Sequence, residues 1–492
     1  MSVSQTIYGI SAFHHDAALA VVRDDEILFA AHAERYSRVK NDPDLNQKLI
    51  DDALERAGPP DVIYFYERPL LTRARHLRAG QWRYAFLPQS PERKIREFRG
   101  LEHAPVRFTS HHCSHAAGGF YTSAFDEATI VVADGIGELD TLTVWHGRGV
   151  ELTCHLRARY PHSLGLLYSA FTQRVGFKPN EEEFIVMALA AFGQARHREL
   201  ILREFISGRP PHLRLRKSVH RGIDDWHQEL TSRQDLAASM QAVTEEWMLD
   251  LIEWALKKTG CPNLVFSGGV ALNCRLNDRI ARLPELERMW VMPNPGDAGS
   301  SLGAILAGIR RKVIWRGPYL GHEICRIPDI GAALQALTSG RIIGMASGRA
   351  EFGPRALGNR SLLADPRSLA TKGRVNEIKQ RERFRPFAPV VLAEHAPSLF
   401  DIPKGDTSYM QYAVPCRDPG KLAAVVHIDS SSRVQTVSRS QNKVLYELIE
   451  AFHQATRCPV LLNTSLNVKG EPLVNRWEEA RAFSEKHDVP VF

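Results

Sequence analysis

The feature that most constrains this chain is a run of three short β-prone segments that occurs twice. Residues 6–12 are apolar, Phe13-His14-His15-Asp16 is a polar loop, 17–22 is apolar again, Arg23-Asp24-Asp25 turns, and 27–31 makes a third segment. The pattern returns at 129–133, followed by the loop Asp134-Gly135-Ile136-Gly137, a second segment at 141–145, a turn at 146–149 and a third segment at 151–156. Strand-length apolar runs bounded by Gly and Asp are hairpin signals. Each copy places a polar loop after its first strand. Such a duplicated β-β-β unit points to an actin-like α/β fold, in which two loops face one another across a nucleotide cleft.

Helices follow the strands. Residues 47–57 form one, stopped by Gly58-Pro59-Pro60. Residues 232–258 form the clearest: Leu236, Met240, Val243, Trp247, Leu251 and Trp254 recur at spacings of three and four, Ser232 with Asp235 resembles a capping box, and Gly260 ends it. Strand 264–266 runs into Ser267-Gly268-Gly269, a turn that can bring backbone close to phosphate or ribose but is also a common tight turn. Residues 300–307 are a small-residue helix. Residues 313–330 carry Gly and Pro without periodicity and are expected to link a first domain, 1–312, to a second, 331–492. The second mixes strands at 341–346, 423–427 and 459–462 with a helix at 443–455. The Arg-rich stretch 68–99 reads as a helical insertion or lid, or equally as a solvated face.

With 492 residues and 44% hydrophobic content the chain can bury a large core. No apolar run reaches the roughly 18 residues of a membrane span, and no signal-like segment opens it. Seven dispersed cysteines without a CxxC pair suggest reduced thiols and a cytoplasmic protein. The window 341–385 holds eleven Arg/Lys against four Asp/Glu, a surplus equal to the +7 of the whole chain. It could meet nucleic acid or a phosphorylated small molecule. Its many Gly and Pro, and few aromatics for stacking, favour a pocket.

Three groups of residues carry chemistry. His111 and His115 in HHCSH lie at i, i+4, on one face of a helix, as a chelate requires, although such pairs also occur as plain core or surface histidines. Asp134 and Asp297, each in a Gly-rich loop, could complete a site of two imidazoles and two carboxylates, suited to Fe(II), Mn(II) or Zn(II). His15-Asp16 offers a histidine able to accept a proton near neutral pH, or a loop histidine bonded to backbone; His14 beside it is not separable by sequence. Arg355 and Arg360 in GPRALGNRS, with Arg385 and Arg433, supply forks for phosphate or carboxylate, and Lys379, Asn463 and Ser465 add further donors, although a solvated basic face would read the same.

These segments are similar to those of the NodU/CmcH carbamoyltransferases, which include the tobramycin and cephamycin O-carbamoyltransferases. The matching stretches are GISAFHHDAALAVV, AHAERYSRVK, HHCSHAAGGFYTS, VVADGIGE, HSLGLLYSAFTQRVGF, FSGGVALNCRLN, NPGDAGSSLGA, GRAEFGPRALGNRSLLADPR, RERFRPFAPVV, RVQTV and CPVLLNTSLNVKGEP, in family order over nearly the whole chain.

The resemblance implies an actin-like N-terminal domain and a smaller YrdC-like α/β C-terminal domain. It implies that carbamoyl phosphate and ATP, with Mg(II), give carbamoyl-adenylate in the second domain. Transfer to a hydroxyl of a small-molecule, secondary-metabolite acceptor follows in the first, beside a divalent metal, typically iron. By resemblance the catalytic histidine is His15, directly before Asp16, and the metal ligands are His111, His115, Asp134 and Asp297. Gly137, Gly268, Gly269 and Asn273 are expected against the adenylate, and Arg355, Arg360, Lys379, Arg385, Arg433, Asn463 and Ser465 against carbamoyl phosphate and ATP. A homodimer is compatible, and no membrane partner is expected. The alternatives are transfer of a carbamoyl-type group to tRNA, which calls for a basic stripe on the first domain, and an ATP-binding relic without activity. Where relatives read GEYKVMGLAPYG, this chain has Ile185, Ala188 and Ala191 in place of lysine, glycine and proline.

Overall fold

Two sheets of the same connectivity carry the first part of the molecule. The computed structural model describes residues 4–78, 80, 82, 90–405 and 407–492. In it β1 (Thr6–Ser11), β2 (Ala18–Arg23) and β3 (Glu26–His32) form an antiparallel ladder. β4 (Val62–Phe65) and β5 (Val106–Phe108) add in parallel at the other edge of β1, for the order β3-β2-β1-β4-β5. β6 (Glu127–Gly137), β7 (Asp140–Arg148) and β8 (Glu151–Arg159) repeat the ladder, and β9 (Asn263–Ser267) and β10 (Arg288–Trp290) repeat the parallel pair. Antiparallel neighbours need only tight turns, whereas parallel ones need crossovers, and helices supply them. The duplication expected from the sequence is therefore present as topology. β1 is buried along its whole length, as a central strand covered on both faces must be. β8, at a sheet edge, alternates exposed and half-buried residues.

The helix His111–Thr122 crosses the helix Ser300–Ile309 at very short range. A methyl on Gly303 would overlap the Ser114 carbonyl, and one on Gly118 would lie 3.2 Å from the Gly303 Cα. Small residues at this crossing bring His111 and His115 alongside Asp297 and Ser300.

By its internal packing the chain falls into two units: Met1–Ala33 with Pro43–Trp315, and Glu34–Asp42 with Arg316–Phe492. The second unit contains a five-stranded sheet, β12-β14-β19-β15-β18, made of β12 (Ile343–Ala346), β14 (Arg360–Ala364), β15 (Ala388–Leu392), β18 (Gln435–Val437) and β19 (Val460–Ser465). Two strand pairs flank it, β11 (Tyr319–Ile324) with β13 (Gly348–Glu351) and β16 (Ala413–Pro415) with β17 (Ser431–Arg433). The chain end continues the sheet beside β12, where the Gly344 N–H donates to the Pro490 carbonyl and the Phe492 N–H to that of Gly344.

Several expectations need correction. Residues 34–42 pack in the second unit, not the first. Arg35, 2% exposed, donates to the Gly353 carbonyl at 2.8 Å, and Arg38 donates to those of Pro472 and Leu473 and pairs with Glu479. The expected linker 313–330 contains β11; its register slips between Tyr319 and Glu323, so the period-2 signal is broken. Residues 423–427 form no strand. They turn, and their apolar side chains are buried by packing instead. Residues 134–137 lie within β6, as an irregularity between Ala133 and Gly137, and not in a loop. Ser232 caps the helix Arg233–Thr259, but the Asp235 carboxylate accepts from the Gln194 N–H, so there is no reciprocal box. In the Arg-rich stretch, Pro69–Arg78 and Pro91–Arg96 are helical, and residues 79, 81 and 83–89 lie outside the described residues. All seven cysteines are free. Among the described residues no helix is long and apolar enough to cross a membrane.

Candidate metal centre and anion site

The donor atoms of His111, His115, Asp134 and Asp297 all lie within 4.8 Å of one another. His111 Nε2 is 3.1 Å from Asp134 Oδ2 and 3.3 Å from Asp297 Oδ1; His115 Nε2 is 3.5 Å and 3.3 Å from the same two oxygens. The two Nε2 atoms face each other at 3.0 Å. One helical turn presents both rings, the β6 irregularity presents Asp134, and the turn before Ser300–Ile309 presents Asp297. The Ser163 hydroxyl, capping the helix Leu164–Arg174, holds that irregularity through the Asp134 and Gly135 carbonyls. Two imidazoles and two carboxylates converging in this way fit a first-row divalent cation.

The electrostatics agree. Burial pushes both carboxyl groups up, and for Asp297 the Asp134 charge adds to it; the two imidazoles overturn this, holding Asp134 well below the usual carboxylate range and Asp297 below it. Conversely, burial would lower His111 and His115, but the carboxylates raise both, His111 strongly. The site draws positive charge inward, as protons or as a cation.

Glu67 belongs to this cluster, and nothing in the sequence singled it out. It is buried just after β4, and its Oε1 accepts from His111 Nδ1 at 2.9 Å. The hydroxyl of Tyr66 beside it is buried without a partner among the described residues, next to the His111 ring.

His15 and His14 are separated here. His15 Nδ1 is 3.2 Å from Asp16 Oδ2, and its buried Nε2 has no hydrogen-bond partner among the described residues. Burial pushes the His15 imidazole down, but Asp16, then Asp297 and Glu181, outweigh it and raise the ring to about 9. His14 instead faces Glu67 Oε2 at 3.2 Å.

The residues expected against the adenylate have local structural tasks. A methyl on Gly137 would overlap the His111 ring. Gly268 sits at φ 89°, its N–H bonded to the Pro295 carbonyl, and the Gly269 N–H donates to Asp134 Oδ1 at 3.2 Å. Asn273 caps the helix Cys274–Ala281 and exchanges hydrogen bonds with Gln241. Ile185, 1% exposed, is packed in the core, so that position offers no cation to a ligand.

In the second unit the basic residues divide. Arg360 is 0% exposed, and its guanidinium donates only to backbone carbonyls, those of Asn475, Ser347, Asn359, His322 and Gly348. Its expected grip on phosphate is corrected: all five donors are taken by the chain. Lys379 is buried and donates to the Ser465 carbonyl at 2.6 Å, the Ser465 hydroxyl at 2.9 Å and Asn467 Oδ1 at 2.5 Å. Burial, then Arg381 and Arg385, hold its ammonium well below the usual lysine range. Arg381 is likewise depressed by burial, Arg385 and Arg433. Arg385 pairs with Glu382 at 3.3 Å, Arg433 ends β17, and Arg355 is half-buried on the turn before β14. Asn463 donates to Gln435 Oε1 at 2.7 Å, and its buried Oδ1 has no partner among the described residues. Lys379 and Arg381 are thus each depressed by neighbouring cations, an arrangement that a bound anion would relieve.

Residues 6–94 and 71–306 match the family domain described as Carbamoyltransferase N-terminus, and residues 334–492 match Carbamoyltransferase C-terminus. The chain belongs to the carbamoyltransferase family. It is 35% identical to "Uncharacterized protein sll1178" of Synechocystis over 96% of this chain and 93% of that one. It is 34% identical to "Nodulation protein NolNO" of Sinorhizobium fredii, covering 96% and 76%. It is 30% identical to the 3'-hydroxymethylcephem-O-carbamoyltransferase of Amycolatopsis lactamdurans, covering 96% and 95%. As a carbamoyltransferase the chain is an enzyme, acting between a carbamoyl donor and an acceptor.

Proposed function

We propose that this carbamoyltransferase is an ATP-dependent O-carbamoyltransferase of a small-molecule alcohol. In this reading the first unit is actin-like and the second YrdC-like. Carbamoyl phosphate is first hydrolysed to carbamate and phosphate. A carbamate oxygen then attacks the α-phosphorus of ATP, accompanied by Mg(II), and pyrophosphate leaves. Arg355, Arg385 and Arg433, with Lys379 and Arg381 behind them, offset the ligands' negative charge. Carbamoyl-adenylate then meets the acceptor hydroxyl beside His15. The acceptor oxygen attacks the carbamoyl carbon, AMP leaves, and the hydroxyl proton passes to His15 Nε2, whose Nδ1 is held by Asp16.

The observation that carries this reading is the convergence of His111, His115, Asp134 and Asp297 in a chain whose relatives include a cephem O-carbamoyltransferase. A divalent cation there, Fe(II) by family resemblance, would act as a Lewis acid and anchor. His111 and His115 would hold it from one face, Asp134 and Asp297 from the other.

The test is incubation with carbamoyl phosphate, ATP, Mg(II), Fe(II) and a panel of alcohols, following AMP, pyrophosphate and acceptor mass. AMP formed in step with a carbamoylated acceptor is expected. Carbamoylation without AMP would overturn the adenylate route.

A further inference from the structure

We propose that Glu67 is the positioning residue of the metal centre, fixing the tautomer of one ligand and tying the His14 loop to it. The inference rests on the reading of His111, His115, Asp134 and Asp297 as cation ligands. Glu67 is buried, and Oε1 accepts from His111 Nδ1 at 2.9 Å. A carboxylate can only accept, so Nδ1 carries the hydrogen. Nε2, the nitrogen facing Asp134 and Asp297, is left with its lone pair free for a cation.

His115 differs. Among the described residues its Nδ1 faces the Ser300 hydroxyl alone, at 3.3 Å, which can donate or accept and so dictates no tautomer. Of the two imidazoles, one is set by a carboxylate and the other is left to adapt.

The second oxygen of Glu67 has its own partners. Oε2 accepts from the Thr72 hydroxyl at 3.1 Å and lies 3.2 Å from His14 Nε2; Arg75 stands 3.8 Å from Oε1. One anion therefore joins a cation ligand to the Phe13–Asp16 turn, which also bears His15. A shift of His111 on cation uptake would be felt at that turn through a single side chain. Nothing in the local sequence Tyr66-Glu67-Arg68-Pro69 announces this; the strand β4 delivers the carboxylate by ending where the His111 helix begins its first turn.

The test uses the full chain as Glu67→Gln and Glu67→Ala. Affinity for Fe(II) and Mn(II) is measured by competition with a chelator, and the His111 tautomer by nitrogen NMR of labelled protein. Loss of such an outer partner typically costs about 10–100-fold in metal affinity. Glu67→Ala is expected to lose that much and to show a mixed His111 tautomer. Glu67→Gln, whose carbonyl can still accept from Nδ1, is expected to keep the tautomer and lose about tenfold or less. Unchanged affinity in every variant that folds would overturn the proposal. So would weakened binding in Glu67→Ala with the His111 tautomer unaltered. If Glu67→Ala does not fold, the affinity of Glu67→Gln decides: a loss supports the proposal and no change overturns it. Failure of the wild-type chain to bind either ion would instead reject the metal centre itself.

Discussion

The two charged regions of this molecule are unbalanced in opposite directions. In the first unit the buried Glu67 carboxylate and the half-buried Asp134 and Asp297 surround two imidazoles, and the imidazoles are drawn toward protonation to compensate. In the second, burial depresses Lys379 and Arg381, with Arg385 adding to it at both and Arg433 at Arg381. Carboxylates dominate one region and cations the other. Buried charge is costly unless compensated, so a cation would relieve the first and a polyanion the second. Arg360 marks the limit of that argument. It belongs to the same basic stretch of sequence, yet its donors all go to carbonyls of the chain.

The largest effect should come from removing a ligand at the first region. His115→Ala is expected to lose bound metal while keeping its fold, as seen by metal analysis with circular dichroism; full metal occupancy would break the contrast at its root.

Next is His15→Ala. Loss of a general base typically lowers rate by about 10²–10⁴-fold, measured as single-turnover transfer from preformed carbamoyl-adenylate, with metal retained. His14→Ala should be milder in that assay. A base works only when neutral, and the His15 ring is raised to about 9. Direct titration of His15 in metal-free protein should give a midpoint near 9, the ring shedding its proton as pH rises through that value; a midpoint at the ordinary histidine value would show that Asp16 and Asp297 do not hold the ring.

The second region is sharpened by a pair of variants. Arg355→Ala should abolish carbamate-dependent ATP–pyrophosphate exchange; normal exchange in that variant would be evidence against a phosphate-binding role for Arg355. Arg360→Met strands several carbonyls, at roughly 1–3 kcal/mol each, so its melting temperature should fall whether or not ligand is present; an unchanged melting temperature would break the reading of Arg360 as an arginine held by the chain.

The smallest effect is at Asn273. Removing its cap should cost about 1 kcal/mol of stability in denaturant unfolding and leave ATP–pyrophosphate exchange unchanged.

How far the sequence foretold this arrangement differs between regions for a physical reason. A chelating pair must sit at i, i+4, and a ligand set is restricted in residue type, so His111, His115, Asp134 and Asp297 could be picked out one by one. An arginine has no such restriction. Its five donors suit a phosphate and a ring of carbonyls equally, and GPRALGNRS reads the same whichever Arg360 meets. Gly137 and Asn273 are ambiguous in a similar way. Glycine beside a ligand and glycine beside a ring are indistinguishable in sequence, as are an amide binding nucleotide and an amide capping a helix. Glu67 went unseen because burial of an acid depends on which loops close over it. The duplicated sheets were legible through alternation and turns, and β11 was not, because its bulge broke the period. The apolar run at 423–427 had the composition of a strand but pairs with none in the sheet.

The placement of Glu34–Asp42 in the second unit bears on inheritance. A gene segment encoding residues 316–492 alone would leave out Arg35 and Arg38, and with them the donors to the Gly353, Pro472 and Leu473 carbonyls. A segment encoding the first unit would carry a nine-residue stretch whose partners are elsewhere. Recombination that swapped one unit for a relative's would have to exchange this short stretch as well.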